Sequence, residues 1–91
     1  MPDVLQQARQ VLAALASLEA SDRAATLHQI LLSLQELPPR RERDSVMARV
    51  YLELALLSGA SEREATLAVS YARTSRNPQV MSLVKEKLFE S

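Results

Sequence analysis

The sequence predicts an all-α fold: about five short helices, forming two stacked antiparallel hairpins on a 40-residue repeat, with a C-terminal helix covering the open end. Three observations carry that expectation. Apolar residues recur at spacings of three and four along the chain, and no segment alternates with the period of two that marks a strand. The strongest helix breakers fall between apolar stretches, at Pro38-Pro39, Gly59 and Asn77-Pro78. The chain also repeats itself. Ten of the 31 positions from Ala8 to Pro38 are identical to those from Ala48 to Pro78, where chance gives roughly three. The matches concentrate in Ala-Ser-Asp/Glu-Arg-x-Ala-Thr-Leu, at the expected start of a second helix, and in the proline at its end. A period of this length marks stacked supersecondary units.

The first helix is expected from about Pro2 to Leu18, with Val4, Leu5, Ala8, Val11, Leu12, Leu15 and Leu18 on one face. The second, capped by Ser21 or its neighbour, reaches about Leu37. Ala24, Leu27, Leu31 and Leu34 form its face, widened by Ile30 and Leu37, and Pro38-Pro39 stops it. The third runs from about Arg40 to Ser58. Val46, Met47, Val50, Tyr51, Leu54 and Leu57 make one face, and Ala48, Leu52, Ala55 and Leu56 fill much of the rest. A helix apolar nearly all round is buried on more than one side, as the middle helix of two hairpins would be. Gly59 follows as its C′ residue. The fourth opens on Ser61-Glu62-Arg63-Glu64, which reads as a capping box, so Ser61 is expected to be a stronger cap than Ser21. Its face is Ala65, Ala68, Val69 and Ala72, with Tyr71 at the edge. Asn77 as N-cap and Pro78 at N1 start the fifth helix, which carries Val80, Met81, Val84, Leu88 and Phe89. One domain over residues 1–91 results: repeat 1 about 4–38, repeat 2 about 44–78, and the last helix about 78–90. Ala25 and Ala65, matched by the repeat, are expected where helices touch.

The second unit resembles a tetratricopeptide (TPR) hairpin, whose pattern runs W-x2-L-G-x2-Y, then A-x3-F, then P. With Ala65 on the family's alanine, Leu52 falls on its Leu, Leu56 on its Tyr, Val69 on its Phe and Ala72 on a later small site. Pro78 lies one residue late, and Arg49 and Glu53 stand where Trp and Gly belong. In the first unit Leu12, Ala13, Ala25 and Pro38 fit, whereas Arg9, Ala16 and Gln29 do not. The 40-residue period is longer than the roughly 34 of the TPR and nearer that of HEAT-type repeats. The resemblance implies stacked hairpins of the kind found in adaptors and in small TPR-like chaperones of bacterial secretion systems, which hold a partner segment in a concave groove.

Composition narrows the function classes. The 91 residues carry 11 Lys+Arg against 11 Asp+Glu, so no net field draws in nucleic acid or an anionic membrane surface. With no cysteine, disulfides and thiolate metal sites are excluded. No apolar run approaches the roughly 18 residues of a membrane span, and the N-terminus does not read as a signal peptide. A cytoplasmic protein is the resulting expectation. His28, the single histidine, has Ala24 and Leu32 one turn away and no acidic neighbour to orient it. With no further metal ligands and no glycine-rich phosphate loop, the chain is read as a non-enzyme without cofactors.

What remains is binding to another protein. Two and a half hairpins are fewer than stacked repeats usually need, and the chain has only three aromatic residues, Tyr51, Tyr71 and Phe89, to enlarge its core. The first, third and fifth helices carry more apolar positions than such a bundle requires. Leu5, Leu12, Val50, Tyr51, Leu57, Met81 and Phe89 are therefore the candidate partner-binding residues, with Arg40 of the Arg40, Arg41, Arg43 cluster at the rim. The expected function is a small protein–protein interaction module, adaptor or chaperone, clasping a partner helix or segment. One alternative is a homo-oligomeric structural or regulatory protein. Another is a helix-turn-helix-like nucleic-acid binder built on the fourth and fifth helices, which the neutral balance and the Pro78-Gln79-Val80-Met81 start of the last helix disfavour.

Overall fold

The expected helices are present. The computed structural model describes residues 3–57 and 62–89, which form α1 (Val4–Ala14), a 3-10 turn (Leu15–Ser17), α2 (Ala20–Gln35), α3 (Arg41–Leu57), α4 (Glu62–Ser75) and α5 (Pro78–Phe89), with no strand among the described residues. Ser58, Gly59 and Ser61, to which the sequence assigns the end of α3 and the cap of α4, lie outside the described residues, as do Met1 and Pro2.

The helix α3 is the axis of the molecule. It packs against α1 and α2 on one side and α4 and α5 on the other, and its contact with α4 is the most extensive. That position explains its sequence. Val46, Met47, Ala48, Val50, Tyr51, Leu52, Leu54 and Ala55 are all buried, so the apolar residues on several faces of α3 each meet a neighbour. The other elements contribute narrower stripes: Ala8, Leu15, then Leu27, Leu31 and Leu34, then Ala68 and Ala72, then Val80 and Val84. Buried alanines on α3 and α4 let these two backbones approach closely.

Three of these elements end or begin on identifiable side chains. Asp3 Oδ1 accepts the Leu5 and Gln6 amides at 3.0 and 3.4 Å and so caps α1. Arg23, from the first turns of α2, donates to the carbonyls of Leu15 and Ala16, each at 3.0 Å, closing the C-terminal end of the preceding helix. Asn77 Oδ1 accepts the Gln79 and Val80 amides at 3.0 and 3.3 Å, with Pro78 at the first helical position, as the sequence predicts. Asn77→Ala is expected to cost about 1 kcal/mol in urea unfolding. Between α4 and α5, Arg76 has φ of 53°, a left-handed conformation that costs a residue with a Cβ about 1 kcal/mol. Arg76→Gly is expected to raise the unfolding free energy by about 0.5–1 kcal/mol, because glycine occupies this C′ position freely.

Two local expectations are corrected. The cap of α2 is Glu19, which makes no side-chain capping bond, and Ser21 lies inside the helix. Ala25 is exposed and Ala65 only half-buried, so neither sits at a tight helix crossing; Ala68 and Ala72, one turn further along the inner face of α4, do. The repeat alignment matches sequence positions, whereas the helix face turned inward is set by how each helix crosses α3.

Candidate interaction surface

The outer face of α4 borders an open groove of about 650 Å³. Its floor is Ala65, Thr66, Val69 and Ser70. Glu62 lies at the N-terminal end, Arg73 and Thr74 at the C-terminal end, and Phe89 from the last turn of α5 stands in one wall. These residues share a face because 62, 66, 69 and 73 recur at helical spacing, opposite the buried Ala68, Ala72 and Ser75. Phe89 is 69% exposed, the most exposed large apolar side chain among the described residues. An aromatic ring left in water beside an apolar groove is the arrangement that burial by a partner would stabilise.

A buried polar cluster fixes the C-terminal end of this groove. Asp44 Oδ1 accepts from Arg43 Nε at 3.1 Å and Nη2 at 2.9 Å, a fork of two bonds from the neighbouring residue. Its Oδ2 accepts the Thr74 hydroxyl at 2.7 Å, tying the start of α3 to the end of α4. Arg43 Nη1 donates to the Leu37 carbonyl at 3.1 Å, closing the turn after α2 as Arg23 closes the one after α1. The Arg43 guanidinium lies 5.9 Å from the centre of the Tyr71 ring, and Tyr71 stacks on Tyr51 with centroids 5.6 Å apart. Burial raises the Tyr51 hydroxyl above its ordinary pKa of 10.0, opposed by a hydrogen bond with the Gln35 side chain. Both ions of the Arg43–Asp44 pair are mostly shielded from solvent, and each carboxylate oxygen has a partner. The cluster is therefore a satisfied structural junction of α2, α3 and α4. It positions Thr74 in the groove but presents no reactive group.

The residues singled out in the sequence do not form one surface. Val50 and Tyr51 are buried in the core and are unavailable to a partner as the chain stands. Leu5 and Met81 are half-buried and pack against that core. Leu12 and Leu57 come together in a second, smaller groove of about 370 Å³ beside Leu15 and the exposed Leu56. Arg40 is exposed at the start of α3, and Phe89 alone of the set reaches the α4 groove. Leu12 and Leu57 thus share a groove of α1 and α3 while Phe89 of α5 lies in another, and among the described residues no single groove joins all three helices. Sequence reasoning missed Glu62, Thr66, Ser70 and Arg73. The available signal was the polar-rimmed small-residue stripe on the outer face of the fourth helix. His28 is exposed on α2. Among the described residues, no three acidic or histidine side chains cluster as metal ligands would. No helix among them is long and apolar enough to cross a membrane.

No protein-family model matches the chain, and no curated protein or solved structure matches it.

Proposed function

We propose that the chain is a small protein-interaction module that engages another polypeptide through the outer face of α4. The observation that carries this reading is the open, largely apolar groove flanked by the exposed Phe89. The groove is long and shallow, lined by small residues and closed at its ends by charges of opposite sign, Glu62 and Arg73. That suits a helical or extended segment laid along it. The TPR-like hairpin resemblance points the same way. Chaperone or adaptor work on a partner segment is the corresponding biological role.

Phe89→Ser tests the reading. Phe89 is largely outside the core, so the variant is expected to keep the melting temperature within a few degrees while losing at least about tenfold in partner affinity, as an aromatic anchor would. Equal partner binding by Phe89→Ser and the unaltered chain would contradict it.

A further inference from the structure

Resting on the reading of the α4 face as a recognition surface, we infer that its occupant is a second copy of this chain, with the two α4 helices packed antiparallel about a twofold axis. The groove's own residues are symmetric about a point between Leu67 and Ala68, one residue from the midpoint of α4. Glu62 and Arg73 are equidistant from that point; so are Ala65 and Ser70, and so are Thr66 and Val69. Every groove residue from Glu62 to Arg73 therefore has its mate within the same groove. When two copies meet antiparallel, Glu62 of each faces Arg73 of the other, Thr66 faces Val69, and Ala65 faces Ser70. A twofold interface demands this reciprocity, residue i meeting j while j meets i.

Charge selects the partner and its direction. The groove is acidic at the N-terminal end of α4 and basic at the C-terminal end, and neither Glu62 nor Arg73 makes an ion pair among the described residues. A parallel copy would set like charges side by side, whereas an antiparallel copy forms two opposite-charge pairs. Arg63 and Glu64, the other charges near the acidic end, do not line the groove; Arg63 borders an adjoining depression that Glu62 and Thr66 share with it. Spacing supplies the packing geometry: 62, 66, 69 and 73 step by four, three and four, the rhythm of a two-helix seam crossing at a shallow angle. Each α4 is then both the floor of its own groove and the ridge entering its partner's, and Phe89 flanks the incoming helix and is covered by it. The contact is short, since 14 residues of helix span about 21 Å, so the dimer is weak and concentration-dependent.

Sedimentation equilibrium of the full chain, from low micromolar to submillimolar concentration, tests this. A monomer–dimer equilibrium is expected. Glu62→Arg and Arg73→Glu should each weaken it by about tenfold, because twofold symmetry turns two attractive rim pairs repulsive at once. The double variant Glu62→Arg/Arg73→Glu, with both pairs restored in reverse, should dimerise like the unaltered chain. Circular dichroism melts should fall by no more than a few degrees, since both side chains are exposed and each reversal forfeits only a favourable interaction with the α4 dipole. A chain that stays monomeric throughout, or a dimer that ignores the single reversals or is not rescued by the double variant, overturns the inference. A monomer whose partner binding is nevertheless lost in Phe89→Ser overturns self-pairing alone and leaves the interaction module standing.

Discussion

Replacing Asp44 with alanine is expected to cost about 2–4 kcal/mol of unfolding free energy. The substitution leaves the shielded Arg43 guanidinium without its carboxylate, and removing one partner of a buried pair exposes the desolvation penalty of the other. It also removes the Thr74 hydroxyl's acceptor across the helices at 2.7 Å, leaving it only the Tyr71 carbonyl of its own helix at 3.1 Å and loosening α4 from α3 at the groove's end. Asp44→Asn keeps an acceptor for Thr74 and should cost less, about 1–2 kcal/mol. Arg43→Met should partly rescue Asp44→Ala, because no charge is then stranded. Urea unfolding of the two single variants and the double gives the coupling directly, and strict additivity would show that the cluster does not act as a unit.

Leu52→Ala should be the most damaging simple truncation in the core, at about 3 kcal/mol, whereas Leu32→Ala should change stability by less than about 0.5 kcal/mol. Leu52 is 1% exposed on α3, the helix that packs against elements of both halves of the bundle, and Leu32 is 66% exposed on the outside of α2. For a domain whose whole stability is on the order of 5–15 kcal/mol, the first loss threatens the fold at physiological temperature. Similar melting curves for the two variants would mean that α3 is not the shared core.

These two leucines also show what spacing reveals and where it stops. The width of the apolar surface on α3 correctly makes it the central helix, and the spacing of Leu27, Leu31 and Leu34 picks the inward face of α2, leaving Leu32 outside. Spacing does not tell whether an apolar position on a helix apolar nearly all round meets its own core or a partner. Val50 and Tyr51 are such positions, and both are buried in the core of this chain. Local punctuation is more legible: Asn77-Pro78 encodes its own cap within four residues, and the structure realises it.

The arginines illustrate the converse. By the helix dipole alone, Arg23 and Arg43 are poorly placed in the first turns of their helices. Each instead closes the carbonyl end of the preceding helix, and Arg43 adds the Asp44 fork and the Tyr71 ring. Asp44 follows Arg43 directly, a separation at which helical side chains do not ordinarily face each other, so the pair is invisible to a helical-wheel argument. The groove is not legible in the sequence because Thr66, Ser70 and Arg73 read as an ordinary solvated face until the fold brings Phe89 from α5 beside them.

The central claim is that the outer face of α4 is where this chain meets another polypeptide. Its most direct test is site-specific photo-crosslinking within the cells that make the protein, with a photoreactive residue in place of Ser70 on the groove floor or, as a control, of Gln6 on the exposed side of α1. The account predicts a discrete protein adduct from position 70 that is absent from position 6, at twice the chain mass if the partner is a second copy. No adduct from position 70, or the same adducts from both positions, would contradict it.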